Sequence, residues 1–248
     1  MTGITGKTAI VTGAAQGIGR GCALQLARDG AHVAVWDVQA EGAAETVALI
    51  EQEGGSARAY IGDASAAAEI ARILESIRAD FGPALILVNN AAIVQFKSFL
   101  DISESDVERV CRNNLIGPLL LTQAVIPDMM AAGWGRIVNM SSASMQQGTR
   151  MLSHYAATKG GIMALTRSLA VEFAANGITA NSISPSFIDT PMRLDAPIAD
   201  FAAAVAATPM KRAGQPHDIA AAVSFLVSDA ASYVTGQMLS VNGGLVLG

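Results

Sequence analysis

The sequence predicts one doubly wound α/β domain, with a mostly parallel sheet of about seven strands and helices on both faces. Three observations predict it. Short apolar runs rich in Val, Ile and Ala alternate with helix-length stretches along the whole chain. The runs are apolar throughout rather than alternating, the pattern of strands covered on both sides. No linker, tandem repeat or low-complexity stretch breaks the alternation, so 1–248 reads as a single unit.

Composition narrows the class. Hydrophobic residues make up 51% of the 248 and charged ones 15%, and the mean hydropathy is +0.39. That is enough for a large core with apolar surface left over, and an oligomer is a natural place to bury the excess. A net charge of −5 and the absence of any Lys/Arg cluster exclude a nucleic-acid or anionic-membrane partner from the expectation. Cys22 and Cys111 are too few and too far apart for a disulfide framework, which fits a reducing cytoplasm. Residues 1–7 lack the apolar core of a signal peptide, and single apolar runs such as 219–227 fall far short of a membrane span.

In chain order, residues 8–11 form the first strand and run into Thr12-Gly13-Ala14-Ala15-Gln16-Gly17-Ile18-Gly19. A helix pattern follows and closes at Asp29-Gly30. Glycines at such a turn let the backbone approach a ligand, and the helix N-terminus behind them favours phosphate. The second strand, 32–36, ends on Asp37, about twenty positions past the glycines, where a ribose diol would be gripped. Helix 40–53, a third strand at 57–61 and helix 65–81 follow. Asp63 either caps that last helix or meets an adenine amino group.

The fourth strand, 84–88, precedes Asn89-Asn90. Asn89 is expected to hold neighbouring loops through bonds to their backbone, and Asn90 to contact a cofactor. Helices near 103–113 and 118–132 meet at Asn114, read from the residues alone as a local bend or cap. Strand five, 136–140, leads to Ser142. Strand six spans 179–183, short helices over a pocket are expected across 192–210 with Pro197 and Pro209 as punctuation, and helix 215–228 and strand 237–241 complete the pattern.

The stretch that suggests chemistry is Tyr155-Ala156-Ala157-Thr158-Lys159, near the start of a long helix, 153–175. Four residues apart, Tyr155 and Lys159 share one helical face. A phenol ordinarily titrates near ~10, and an ammonium beside it favours the phenolate, bringing its proton within reach of a substrate oxygen. Ser142, just past a carboxyl strand end, is placed to hold the same oxygen.

Taken together, Thr12-Gly13-x-x-x-Gly17-x-Gly19, Asn89-Asn90-Ala91, Asn114 in Asn-Leu-x-Gly, Ser142 and Tyr155-x-x-x-Lys159 resemble the short-chain dehydrogenase/reductase family over nearly the whole chain. The resemblance implies a Rossmann-like fold and a role for each residue. Tyr155 is the acid/base, Ser142 steadies the substrate oxygen, and Lys159 lowers the Tyr155 pKa and bonds the nicotinamide ribose. Asn114 holds a water that extends the proton relay. Gly13, Gln16, Gly17, Ile18 and Gly19 line the pyrophosphate, Asp37 the ribose, Asp63 and Asn90 the adenosine half, and Ile188 and Thr190 the carboxamide.

Three positions depart from the family. Ala92 and Ser186 replace glycines, at a cost of roughly 1–2 kcal/mol if positive φ is required. Asn242 replaces an Asp before the double glycine, which bears on assembly or the C-terminal turn.

The function expected is an NAD(H)-dependent oxidoreductase interconverting a secondary alcohol and a ketone, without a metal, as a homotetramer. One alternative is a 3-oxoacyl-carrier-protein reductase, expected to prefer NADPH and to show a basic patch. The other is a catalytically silent, NAD-sensing binding protein. Candidate pocket residues are Ile93, Gln95, Met145, Gln146, Gln147, Thr149, His154, Phe187 and Met192. Arg20 is expected to point to solvent, and His154 to be a helix-start or rim residue rather than a second base.

Overall fold

The apolar runs become strands, buried along most of their length in the five central ones and partly exposed in the two at the edges. They are β1 (Thr8–Thr12), β2 (His32–Asp37), β3 (Ser56–Ile61), β4 (Ala84–Asn89), β5 (Gly135–Met140), β6 (Ile178–Pro185) and β7 (Met238–Val241). All pair in parallel, in the order β3-β2-β1-β4-β5-β6-β7. The structure, a computed structural model, describes residues 2–192 and 201–247. Its helices are α1 (Gly17–Arg28), α2 (Ala40–Gln52), α3 (Ala67–Phe81), α4 (Glu104–Cys111), α5 (Gly117–Ala132), α6 (Ser144–Gln147), α7 (Ser153–Phe173), α8 (Phe201–Ala207) and α9 (Pro216–Val227). Of the segment 192–210, expected as short helices, 193–200 with Pro197 lies outside the described residues.

Because successive strand residues point to opposite faces, each strand feeds two cores. Val11, Val33, Val35 and Val88 pack with Leu26, Ile50 and Val223 of α1, α2 and α9. Ile10, Ala34, Trp36 and Leu87 pack with Leu74, Val125 and Leu169 of α3, α5 and α7. The chain leaves β1 toward β2 and later returns on its other side as β4. That reversal opens a crevice beyond the carboxyl ends of β1 and β4, where open α/β sheets bind ligands.

The helices expected on either side of Asn114 are one continuous run, Glu104–Ala132. A π turn, Arg112–Ile116, joins α4 to α5, and Pro118 falls at the start of α5, where its missing N–H is tolerated. By length and apolar composition the joined run would suit a membrane crossing, which its separate pieces did not foretell. Here Leu121, Val125 and Met129 face the sheet, whereas Leu119 and Met130 are 42% and 45% exposed.

Buried amides lock the layers together. The Asn89 amide donates to Thr122 Oγ1 (3.0 Å) and Asn139 Oδ1 (2.8 Å), and that of Asn139 donates to Thr166 Oγ1 (2.9 Å). Asn89 thus has the structural role expected, through side chains of α5 and β5 rather than through backbone. Both cysteines are free, and burial pushes the Cys22 thiol up to about 12.

Candidate active site

The crevice is built first by the glycine turn. Gly13 and Gly17 have φ of 65° and 56°, and a β-carbon on Gly19 would lie 2.1 Å from the Gly13 carbonyl oxygen. Only glycines let α1 begin so close to the end of β1. The turn is braced on three sides. Gly13 N–H donates to the Trp36 carbonyl (2.8 Å), and the Asn90 amide donates to the carbonyls of Thr12 (2.9 Å) and Gly13 (3.1 Å). Ala15 N–H donates to Asp37 Oδ2 (2.9 Å), and Gln39 N–H to Asp37 Oδ1 (2.9 Å). Asn90 therefore spends its donors on the turn, while Asp37, buried, keeps a free lone pair on each oxygen.

No side chain caps α1. Its first-turn amides are left for an anion, as at other phosphate-binding helix starts. Gly13, Gln16, Gly17, Ile18, Asp37, Asp63, Asn90 and Thr190 line a cleft of 290 Å³, with Gly19 beneath. Asp63 accepts from Ser65 N–H (2.8 Å) and so caps locally while facing the cleft. The glycine cradle, the uncapped amides and the buried carboxylate fit a dinucleotide. Arg20 does not point to solvent: its guanidinium donates to the Ala15 carbonyl and pairs with Glu45 at 2.7 Å, folded back between α1 and α2.

Ile18, Asn90, Ala92, Thr190 and Met192 also line a second cavity of 650 Å³, so the two make one trough. Ser142, Tyr155, Lys159 and Ile188 lie in this second part. Lys159, 3% exposed, donates to the Met140 carbonyl (2.8 Å) and sits 5.6 Å from the centre of the Tyr155 ring. Ser142 Oγ accepts from Ser144 N–H (3.2 Å) and Oγ–H (2.9 Å). Burial pushes the phenol up to about 12, against the lowering influence of Ser142, and pushes Lys159 down to about 8. Burial is thus the largest influence on both groups here, and the Lys159 ammonium is held by Met140.

Asn114 lies behind this wall rather than in it. Its Oδ1 accepts from Ile93 N–H (2.9 Å), and its amide donates to the Ile93 carbonyl (2.9 Å) and Thr158 Oγ1 (3.4 Å). Thr158 in turn donates to the Tyr155 carbonyl (2.7 Å), so the π turn is tied to the helix that carries the phenol.

Of the pocket residues expected from sequence, Gln147, Thr149, Phe187 and Met192 line the larger cavity and Ile93 the narrower cleft. Met145 lines neither. Gln146 accepts from Ser184 Oγ (2.7 Å), and Gln95 donates to Asp106 (2.7 Å) and pairs with the buried His154 (3.3 Å). Those amides face the protein. His154 is a helix-start residue as expected, and burial lowers its pKa. Sequence reading missed Arg150, Leu152, Phe201 and Leu245, which tertiary folding brings to the cavity.

The departures from the family are unstrained. The positive-φ non-glycine residues are Met151 (65°) and Lys211 (55°), so Ala92 and Ser186 sit in ordinary backbone. Ser186 Oγ donates to the Asn242 carbonyl (2.9 Å), while the Asn242 side chain accepts from Gly244 N–H (3.0 Å) and donates to the Val246 carbonyl (3.1 Å). Ser186 thus touches the main chain of residue 242, while the Asn242 side chain closes the C-terminal turn.

Comparison with known proteins agrees with this geometry. The family model described as Enoyl-(Acyl carrier protein) reductase matches residues 13–246. A 3-oxoacyl-[acyl-carrier-protein] reductase FabG of Pseudomonas aeruginosa is 38% identical over 244 residues, 98% of this chain and 99% of that protein. A (3R)-3-hydroxyacyl-CoA dehydrogenase of Canis lupus familiaris is 38% identical over 248 residues, 96% of each. Among solved structures, one from Agrobacterium tumefaciens, provisionally named a gluconate dehydrogenase, superposes with a TM-score of 0.95 at 34% identity over 99% of both chains. Another, from Beutenbergia cavernae and provisionally named an NAD(P)-dependent gluconate 5-dehydrogenase, holds NADP at low occupancy; it gives 0.92 at 37% identity over 98% of both.

The pKa ordering is testable without substrate. The absorbance of ionised phenol, wild type minus Tyr155→Phe, is expected to titrate near 12. Ser142 stabilises the phenolate, so Ser142→Ala is expected to move that titration further up. A midpoint near ~10, the value of a free phenol, would show that burial does not govern Tyr155.

Proposed function

The chain belongs to the short-chain dehydrogenase/reductase family, and from that premise we propose an NAD(H)-dependent enzyme that interconverts a secondary alcohol and a ketone with Tyr155 as acid/base. Its class, an oxidoreductase acting on CH–OH and keto groups, follows from its relatives. The observation that carries the proposal is the half-buried Tyr155, one helical turn from Lys159 and sharing with it and Ser142 a cavity continuous with the dinucleotide cleft.

Hydride exchange is the chemistry a nicotinamide supplies when bound. The glycine turn, with Gln16 and Ile18, would hold its pyrophosphate, Asp37 and Asp63 the adenosine half with Asn90 behind them, and Ile188, Thr190 and Lys159 the nicotinamide half. During ketone reduction the carbonyl carbon gains a hydride and Tyr155 gives its phenolic proton to the oxygen. Oxidation returns that proton to Tyr155 as the C–H hydrogen leaves with its electron pair. Ser142 holds the oxygen in both directions. A phenol held near 12 stays protonated at neutral pH, which suits a proton donor. Asn114 is a positioning residue in this scheme, acting through Thr158 on the helix of Tyr155.

A second reading, reduction of a 3-oxoacyl group on a carrier protein, is favoured by the name of the Pseudomonas relative. The cofactor cleft distinguishes them. Asp37 and Asp63 line it, with no Lys or Arg among the described lining residues, and Arg20 is occupied by Glu45. Turnover of 3-oxoacyl thioesters with NADPH ahead of simple ketones with NADH would favour the second reading. No turnover of either, with dinucleotide still bound, would favour a silent sensor.

We also propose a homotetramer through the outer faces of α5 and α7 and the C-terminal strand. Leu119 and Met130 on α5 and Val171 on α7, 87% exposed, are apolar and turned away from the core. Leu121 of the same helix as Leu119 lies toward the sheet and belongs to the core.

Three outcomes are expected. Tyr155→Phe should keep dinucleotide binding, measured by fluorescence, while turnover falls at least ~100-fold, the range of a lost general acid; near-normal turnover would sink the mechanism. Light scattering at micromolar concentration should give about four times 25.5 kDa, and a monomer would refute the tetramer. NAD should be preferred over NADP by at least ~100-fold in kcat/KM, or about 2.7 kcal/mol. Two like charges near 4 Å repel by roughly 4 kcal/mol at an effective dielectric of 20, which a 2′-phosphate beside Asp37 would meet. Asp37→Ser should shrink that preference, mostly by losing NAD; equal use of both by the wild type would remove the ribose role of Asp37.

A further inference from the structure

The two halves of the trough have opposite electrical character. The cofactor cleft is lined by the carboxylates Asp37 and Asp63 and by no described cation, whereas the larger cavity is lined by Lys159 and Arg150 and by no described carboxylate. In a chain with 16 Lys and Arg against 21 Asp and Glu, a cavity of that sign runs against the overall balance. Lys159 lies deep and is bound to the Met140 carbonyl. Arg150 is different: it is exposed, five residues before Tyr155, and makes no hydrogen bond or ion pair among the described residues. The neighbouring cation, Lys97, is already neutralised by Asp106 at 2.6 Å.

The loop that carries Arg150 is held in a specific shape. It turns through positive φ at Gly148 (72°) and at Met151 (65°), the latter a conformation unfavourable to a residue with a long side chain. Met151 is kept there by a bond from Lys97 N–H to its carbonyl (2.9 Å), which ties the loop to the segment after β4. The cavity wall beside it is apolar, with Met151, Leu152, Phe187 and Phe201. A substrate seated against that wall displaces water, and an ion pair to Arg150 strengthens as the local dielectric falls.

We propose that Arg150 receives an anionic group of the substrate, so that the alcohol and ketone exchanged at Tyr155 carry a carboxylate or a phosphate monoester away from the reacting carbon. This rests on the hydride-transfer reading of the site and adds its substrate class. Arg150 confers specificity; the reacting oxygen stays with Ser142 and Tyr155. The guanidinium suits either anion, since its planar fork pairs two oxygens at once.

The test is a ratio. A series of short-chain hydroxy acids, their methyl esters and the matching hydroxyalkyl phosphates is assayed with NAD⁺ on wild type, Arg150→Gln and Arg150→Lys. The wild type is expected to prefer an anionic member over its ester, and Arg150→Gln to lower that anion-to-ester ratio of kcat/KM about 10- to 100-fold, as loss of a charge-assisted pair would. Arg150→Lys should fall between. A general loss of folding lowers both substrates and cancels in the ratio. Whichever anion shows the larger ratio identifies the head group. A wild type that prefers the ester, or a ratio unchanged in Arg150→Gln, overturns the proposal. A second arm reads binding alone: the concentration of a non-reacting carboxylate that half-maximally raises the melting temperature with NADH present should increase in Arg150→Gln, and its amide should give no such difference. If neutral alcohols turn over and the ratio is flat, only the anion site fails. If nothing turns over, the hydride-transfer reading fails and the binding arm decides the anion site by itself.

Discussion

The close approach of α1 to the end of β1 is the constraint on which the rest of the site depends. A β-carbon at Gly19 would overlap the Gly13 carbonyl oxygen, so the helix begins directly on the turn with its amides uncapped. Three strands converge to hold that turn: β2 through Trp36 and Asp37, β4 through Asn90, and β1 by covalent continuity. Asp37 illustrates the economy of the arrangement. The two amides it accepts orient its carboxylate, and the same orientation leaves lone pairs toward the cleft.

From the turn outward, the trough is graded by burial and charge. Its cofactor end has carboxylates and free backbone donors, and its far end has Tyr155, Lys159 and Arg150, which has no partner among the described residues. Desolvation at the far end drives both Tyr155 and Lys159 toward their neutral forms. Ser142 is the one group that pulls the phenol the other way. The buried polar chains behind the wall, Asn114 to Thr158 and Asn89 to Asn139 to Thr166, leave their donors satisfied and so keep the wall rigid. Opposite them, the exposed apolar side of α5 explains the high hydropathy that composition alone registered.

Much of this was legible in the residues because it is local. A buried parallel strand announces itself as an unbroken apolar run, a phosphate turn as glycines between strand and helix, and the Tyr155–Lys159 pair as two residues four apart. Strand order, β3-β2-β1-β4-β5-β6-β7, came only with the tertiary structure. Where reading failed, the deciding partner was distant or the geometry uncommon. Asn114 looked like a junction because π turns carry no simple sequence signature. Gln95 and Gln146 looked like pocket amides until Asp106 and Ser184 claimed them.

The sequence by itself therefore determined the layered architecture, the glycine turn and the pairing of Tyr155 with Lys159 on one helical face. Each of these depends on side-chain type and spacing within one or two elements. Only the tertiary structure decided how those groups are biased. How far the Tyr155 phenol and the Lys159 ammonium are shifted depends on how much water the fold removes, and the ammonium is held by the Met140 carbonyl nineteen residues away. Whether Arg20 or Arg150 pairs locally depends on Glu45 standing beside one, while among the described residues no carboxylate lines the cavity that holds the other. Spacing along a chain sets which side chains can meet; burial and the nearest opposite charge set what they do on meeting.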